Sequence, residues 1–108
     1  MNKAKRTRLE RAGWKVGTVR EFLELTDEEA RFIELKLALA RGLRRKRERA
    51  GLTQTALAKL IESSQSRVAK IEAGDRSVSL DLIVRTLLAM GTSPRELARI
   101  ISAAKQAA

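Results

Sequence analysis

Residues 54–74 read Gln54-Thr55-Ala56-Leu57-Ala58-Lys59-Leu60-Ile61-Glu62-Ser63-Ser64-Gln65-Ser66-Arg67-Val68-Ala69-Lys70-Ile71-Glu72-Ala73-Gly74. Thr53 stands in cap position before this run, and Leu57, Leu60 and Ile61 supply the apolar positions of a helix over about 54–61. Ser64 caps a second helix that runs to about Ala73, where Gly74 supplies the left-handed residue that ends it. Two short helices separated by about two residues must cross steeply, with their backbones close. A small residue is then needed on the first helix, and Ala58 supplies it. Val68 and Ile71, three positions apart, give the second helix one buried face. At about 100° per residue, Ser66, Ala69, Lys70 and Ala73 point away from that face, and Gln65 lies in the exposed first turn. An outer face so small and polar can enter a major groove without steric conflict.

The flanking sequence is also helical. Downstream, Ser79 caps a run in which Leu80, Ile83, Val84, Leu87 and Leu88 complete an i, i+3, i+4, i+7, i+8 stripe, ended by Gly91. Ser93-Pro94-Arg95-Glu96 joins a serine cap, proline at the first helical position and glutamate at the third; Leu97, Ile100, Ile101 and Ala104 continue the apolar face. Upstream, Thr26 and Glu29 fit a capping box that opens a long helix through Ile33 and Leu37 to about Ala50. Gly42 is tolerated inside it at about 1 kcal/mol against alanine, and Gly51 ends it. Thr18 and Glu21 form a similar box for a short helix carrying Val19, Phe22 and Leu23. Period-two alternation over strand length is absent, so the expected class is all-α.

Charge divides the chain. Residues 1–20 carry a net +6, residues 21–38 a net −4 and residues 39–108 a net +8, giving +10 overall. This pattern separates an N-terminal helical extension, 1–38, from a compact domain, 39–108. So strong a positive balance points to a polyanionic partner, most often nucleic acid. With no cysteine and no histidine, disulfides, Cys/His zinc sites and imidazole or thiolate catalysis are excluded. A basic ribonuclease built on Arg, Lys and Glu would need a sheet or a concave cleft, and the sequence offers only helices; the expectation is a protein that is not an enzyme. The acidic Asp27, Glu28 and Glu29 suit a helix N-terminus and lack further ligands for a metal, so neither metal nor cofactor is expected. The longest uncharged runs, Ala50–Ala58 and Thr86–Pro94, are 9 residues each, far below the ~18 of a membrane span. No apolar stretch follows the basic N-terminus as a secretory signal would require.

The helix pair at 54–74 is a helix-turn-helix. Together with its surroundings, residues 39–101 resemble the phage-repressor (Cro/CI, also called XRE) family. The matching residues are Gly51-Leu52-Thr53-Gln54, Leu57-Ala58, Ser64-Gln65, Val68, Ile71-Glu72 and Gly74, followed by Leu80, Leu88 and the Gly91 turn. The resemblance implies a five-helix DNA-binding domain that binds a palindromic operator as a homodimer in the bacterial cytoplasm. It places Gln65, Ser66 and Lys70 at base-reading positions. Gln54, Ser64, Arg67 and Arg44 it places at the DNA backbone, and it sets Glu72 against Arg47 as a structural ion pair. The family's usual turn glycine is Glu62 here. Positive φ is uncommon for such a residue, and a carboxylate there is unfavourable near DNA.

A second resemblance covers residues 13–38. The order Gly13-Trp14-Lys15-Val16-Gly17, Glu21-Phe22-Leu23, Asp27-Glu28-Glu29 ahead of the domain is similar to HigA-type antitoxins. Those repress their own operon and neutralise a small ribonuclease toxin. Trp14, Phe22 and Phe32, the three aromatics of the chain, are then either a small accessory core or the surface for a protein toxin. The basic segment Lys3–Arg11 is open to a second use as a DNA arm. The run Arg44-Arg45-Lys46-Arg47 with Arg49 is either a solvated helix face or a phosphate-facing one. The alternative to an antitoxin is a stand-alone regulator of the same family, whose extension only dimerises or caps the domain.

Overall fold

The computed structural model describes residues 25–107, with side chains described as far as residue 103. These residues form five α-helices: α1 (Asp27–Arg49), α2 (Gln54–Leu60), α3 (Gln65–Ala73), α4 (Leu80–Ala89) and α5 (Pro94–Ala107). No strand occurs among the described residues, so the all-α class holds. The Thr18/Glu21 capping box and the Lys3–Arg11 segment lie outside the described residues.

Each described helix starts at the hydroxyl read from the sequence. Thr26 Oγ1 accepts from Glu29 N–H at 3.1 Å, and Thr53 Oγ1 from Ala56 N–H at 3.0 Å. Ser64, Ser79 and Ser93 do the same for Arg67, Leu82 and Glu96 at 3.2, 3.1 and 3.1 Å. Each such bond satisfies one of the donors that a helix start leaves unpaired. α1 carries Asp27, Glu28 and Glu29 in its first turn and Lys46, Arg47 and Arg49 in its last. Both sets complement the helix dipole.

Two compact units divide the chain between Ile33 and Glu34, a point inside α1. In the first unit, Ala30 is buried while Phe32 and Ile33 are exposed. In the second, Leu39, Leu43, Leu57, Val68, Ile71, Ile83 and Leu87 are almost wholly removed from water and form one core. Burying each such side chain is worth about 1.5–3 kcal/mol. All five helices contribute, because Leu97 and Ile100 of α5 pack against that cluster. Val78, in the α3–α4 connection, joins it; an isolated valine in a loop gave no periodic signal.

α2 and α3 meet through a tight connection. α2 ends at Leu60, one residue earlier than its apolar spacing suggests, and Ile61 becomes its half-buried C-terminal cap. Leu60 is left largely in solvent. Glu62 adopts φ 54° and is the only non-glycine residue with positive φ among those described. Ser63 N–H donates to Ala58 O at 2.8 Å, and Ala58 is buried beneath the turn. The small side chain and the left-handed turn together set the second helix across the first.

Candidate nucleic-acid interface

α3 divides into two faces. Val68, Ile71 and Glu72 are buried, while Gln65, Ser66, Arg67, Lys70 and Ala73 are exposed and Ala69 is partly covered. Three of the exposed residues, Gln65, Ser66 and Lys70, are those placed at base-reading positions from the sequence. Ala69 and Ala73 between them keep the surface low, so nothing bulky blocks its approach to a groove.

This helix is fixed to α1 by a buried ion pair. Arg47 Nε donates to Glu72 Oε2, and Arg47 Nη2 donates to Glu72 Oε1 at 3.0 Å. The third guanidinium nitrogen, Nη1, donates to Leu52 O at 2.8 Å and ties down the segment between α1 and α2. The hydrogen bond to Glu72 holds the guanidinium more firmly protonated than usual, against the opposing effect of burial. The pairing read from the sequence is thus present in its two-pronged form.

From Glu72 the hydrogen bonds continue outward. Gln54 Nε2 donates to Glu72 Oε1 at 3.1 Å. Gln65 Nε2 donates to Gln54 Oε1 at 2.7 Å. A carboxylate can only accept, so it fixes which end of the Gln54 amide faces it, and Gln54 in turn fixes Gln65. One N–H and the carbonyl oxygen of Gln65 remain available. That is the donor–acceptor pair which adenine requires in the major groove.

The residues placed at the DNA backbone are more varied. Both ends of the Gln54 amide are engaged within the domain, so its visible role is to connect Glu72 with Gln65. Ser64 accepts the Arg67 N–H as a cap and lies 3.3 Å from Ser66 Oγ. Arg67 is exposed beside a cavity of about 370 Å³ that also touches Glu62, Leu82 and Arg85. Arg44 is exposed and pairs with Glu48 one turn on, at 3.4 Å, which partly neutralises it. Sequence spacing could not show the Gln54–Gln65 bridge, since the residues lie eleven positions apart, nor the acceptor role of the Leu52 carbonyl.

Trp14 and Phe22 lie outside the described residues, and Phe32 is half exposed on α1. Among the described residues there is no group of three or more His, Cys, Asp or Glu side chains that could hold a metal ion. No described helix is long and apolar enough to cross a membrane.

A family model described as helix-turn-helix matches residues 43–102, more than half of the chain. The match begins inside α1 and takes in α2, α3, α4 and most of α5. No curated protein and no solved structure matches the chain.

Proposed function

The chain belongs to the helix-turn-helix family of DNA-binding transcriptional regulators, in its phage-repressor-like branch, and we propose that it is a repressor which reads a palindromic operator as a homodimer. The observation that carries this reading is the outer face of α3, where a polar chain from Arg47 through Glu72 and Gln54 presents Gln65 beside Ser66 and Lys70. One helix of this size reads too few base pairs for useful specificity, so two copies on two half-sites are required. Leu88 on α4 and Ile101 on α5 each leave about half their surface exposed, apolar area that a second copy would cover. Half-sites are then about one helical turn apart, or about 34 Å. Footprinting on the DNA upstream of its own gene tests the proposal. An inverted repeat protected by a dimer supports it, and protection without an inverted repeat sinks it.

Within this reading, the antitoxin role rests on the N-terminal extension. Phe32 and Ile33 are exposed large apolar side chains on the first turns of α1, placed where the sequence of residues 13–38 resembles HigA-type antitoxins. The partner would be a small ribonuclease toxin. Co-expression with the product of an adjacent gene decides between this and a stand-alone regulator. Rescue of growth that is lost on Trp14→Ala with Phe32→Ala, while operator binding survives, supports the antitoxin. Absence of any toxic neighbour leaves the stand-alone regulator as the function. On either reading the role proposed is binding and not catalysis.

A further inference from the structure

α1 carries a stripe formed by Gly42, Arg45, Lys46 and Arg49, spaced i, i+3, i+4, i+7, and α5 faces it with Glu96, Arg99 and Ile100. Between the stripes lies a groove of about 320 Å³, within the size range of small-molecule sites. Lys46 is paired with Glu96 at 2.8 Å. Arg45, Arg49 and Arg99 have no ion-pair or hydrogen-bond partner among the described residues. The floor is apolar, formed by Ile100 packed over the buried Gly42.

The groove does not belong to the α3 face. Arg45 and Arg49 each lie two positions from Arg47, hence about 160° away around the helix axis. Arg47 is the residue that turns toward α3 to meet Glu72. Glu72 is itself two positions from Lys70 on α3 and turned inward, whereas Lys70 is exposed. A duplex lying on Lys70 and Gln65 therefore gives these three guanidinium groups no counter-charge.

We propose that this groove is a second anion site, for a small molecule that carries a diphosphate group and a flat apolar portion, such as a nucleoside diphosphate. Guanidinium groups bind phosphate oxygens through paired N–H donors. Three of them unpaired around one groove suit two linked phosphates better than a single carboxylate. The partly exposed Ile100 offers apolar surface to a ring, and Lys46 with Glu96 closes one side without adding net charge. The ligand binds on the side of the domain opposite the α3 outer face, so it and the operator can be held together.

Calorimetric titration of the full chain at fixed ionic strength tests this, with inorganic pyrophosphate and adenosine diphosphate as probes. Both are expected to bind, and the diphosphate ester more tightly because it also covers the floor. Arg49→Gln with Arg99→Gln is expected to weaken both by roughly tenfold or more, while Lys59→Gln with Arg85→Gln, an equal loss of charge on α2 and α4 away from the groove, leaves binding unchanged. Arg45→Gln alone gives a smaller loss in the same direction and serves if the double variant is unstable by circular dichroism. Operator binding is measured in parallel on the same variants and is expected to persist. The proposal is overturned if neither probe binds, if the arginine variants bind as tightly as the unaltered chain, or if operator duplex displaces pyrophosphate. The last result would make the groove part of the DNA surface.

Discussion

Arg47 and Glu72, on α1 and α3, form a two-pronged ion pair whose side chains are about 12% and 4% exposed. Few acceptor positions are left idle, since Glu72 also takes the Gln54 amide and Arg47 also donates to Leu52 O. Two charges so deep are tolerable only as a pair. Glu72→Leu or Arg47→Met alone is expected to cost about 3–5 kcal/mol, because each leaves the other charge buried and uncompensated. Arg47→Met with Glu72→Leu together is expected to cost less than either single change. Urea denaturation of the four proteins gives the cycle; additive losses would show that the pair is not coupled.

Gln54 and Gln65 are expected to behave as one reading unit. Gln65→Ala removes the group offered to a base and should cost about 1–3 kcal/mol on the cognate operator, with relaxed selectivity at one position. Gln54→Ala leaves Gln65 in place but frees its amide to rotate, so selectivity at that same position should fall too. A residue that only held a phosphate would instead weaken all sequences alike. Lys70→Ala should relax a different position. Titrations against cognate and singly altered duplexes distinguish these outcomes, and equal loss on every duplex for Gln54→Ala would return it to the backbone role.

Much of this was legible because caps and periods are local. The hydroxyls of Thr26, Thr53, Ser64, Ser79 and Ser93 bond within one turn of themselves, and the glycines at 51, 74 and 91 do adopt positive φ. Val68 and Ile71 mark the buried face of α3 by their spacing alone. What stayed illegible depends on how the helices meet. Leu88 completes a five-residue stripe on α4, yet the core covers Ile83 and Leu87 and leaves Leu88 half in water. Gln54 opens α2, where the resemblance placed it at the DNA backbone, and only the approach of α3 shows that it spans Glu72 and Gln65. Glu62 is a mixed case. The turn demanded a left-handed residue, and the chain supplies it with a glutamate held at φ 54°, a conformation that costs a non-glycine residue about 1–2 kcal/mol.

Acid is expected to weaken the domain through two carboxylates. The Lys46 ammonium, hydrogen-bonded to Glu96 at 2.8 Å, holds that carboxyl below the usual glutamate range, against the opposing effect of desolvation. The Ser77 hydroxyl and backbone N–H, at 2.6 and 2.9 Å, do the same for Asp75. A carboxyl depressed in the folded state contributes fully above its unfolded pKa, near 4. The contribution is lost as pH falls through the lower folded value. Stability should therefore be level from neutral pH down to about 5 as far as these groups are concerned, and fall below about 4. Glu96→Gln should lower stability at neutral pH and make the acid limb shallower. An unchanged acid limb in thermal scans of that variant would remove Glu96 from the account.

Gly42 sits in the interior of α1, where alanine would ordinarily be preferred by about 1 kcal/mol. The structure supplies the reason for glycine. A Cβ at this position would stand 2.9 Å from Ile100 Cδ1, 3.0 Å from Cγ2 and 3.1 Å from Cγ1. Three atoms of one β-branched side chain cannot all swing aside, because its χ1 is confined within a helix. Overpacking of this kind costs about 1–3 kcal/mol, which exceeds the gain in helix propensity. Gly42→Ala is therefore expected to destabilise the domain by about 1 kcal/mol, the difference of the two effects. With Ile100→Ala in the background the obstruction is gone, and the same Gly42→Ala change should stabilise by an amount close to the propensity difference. Urea denaturation of the four proteins shows whether the sign reverses. If Gly42→Ala costs the same in both backgrounds, Ile100 is not what keeps the position a glycine.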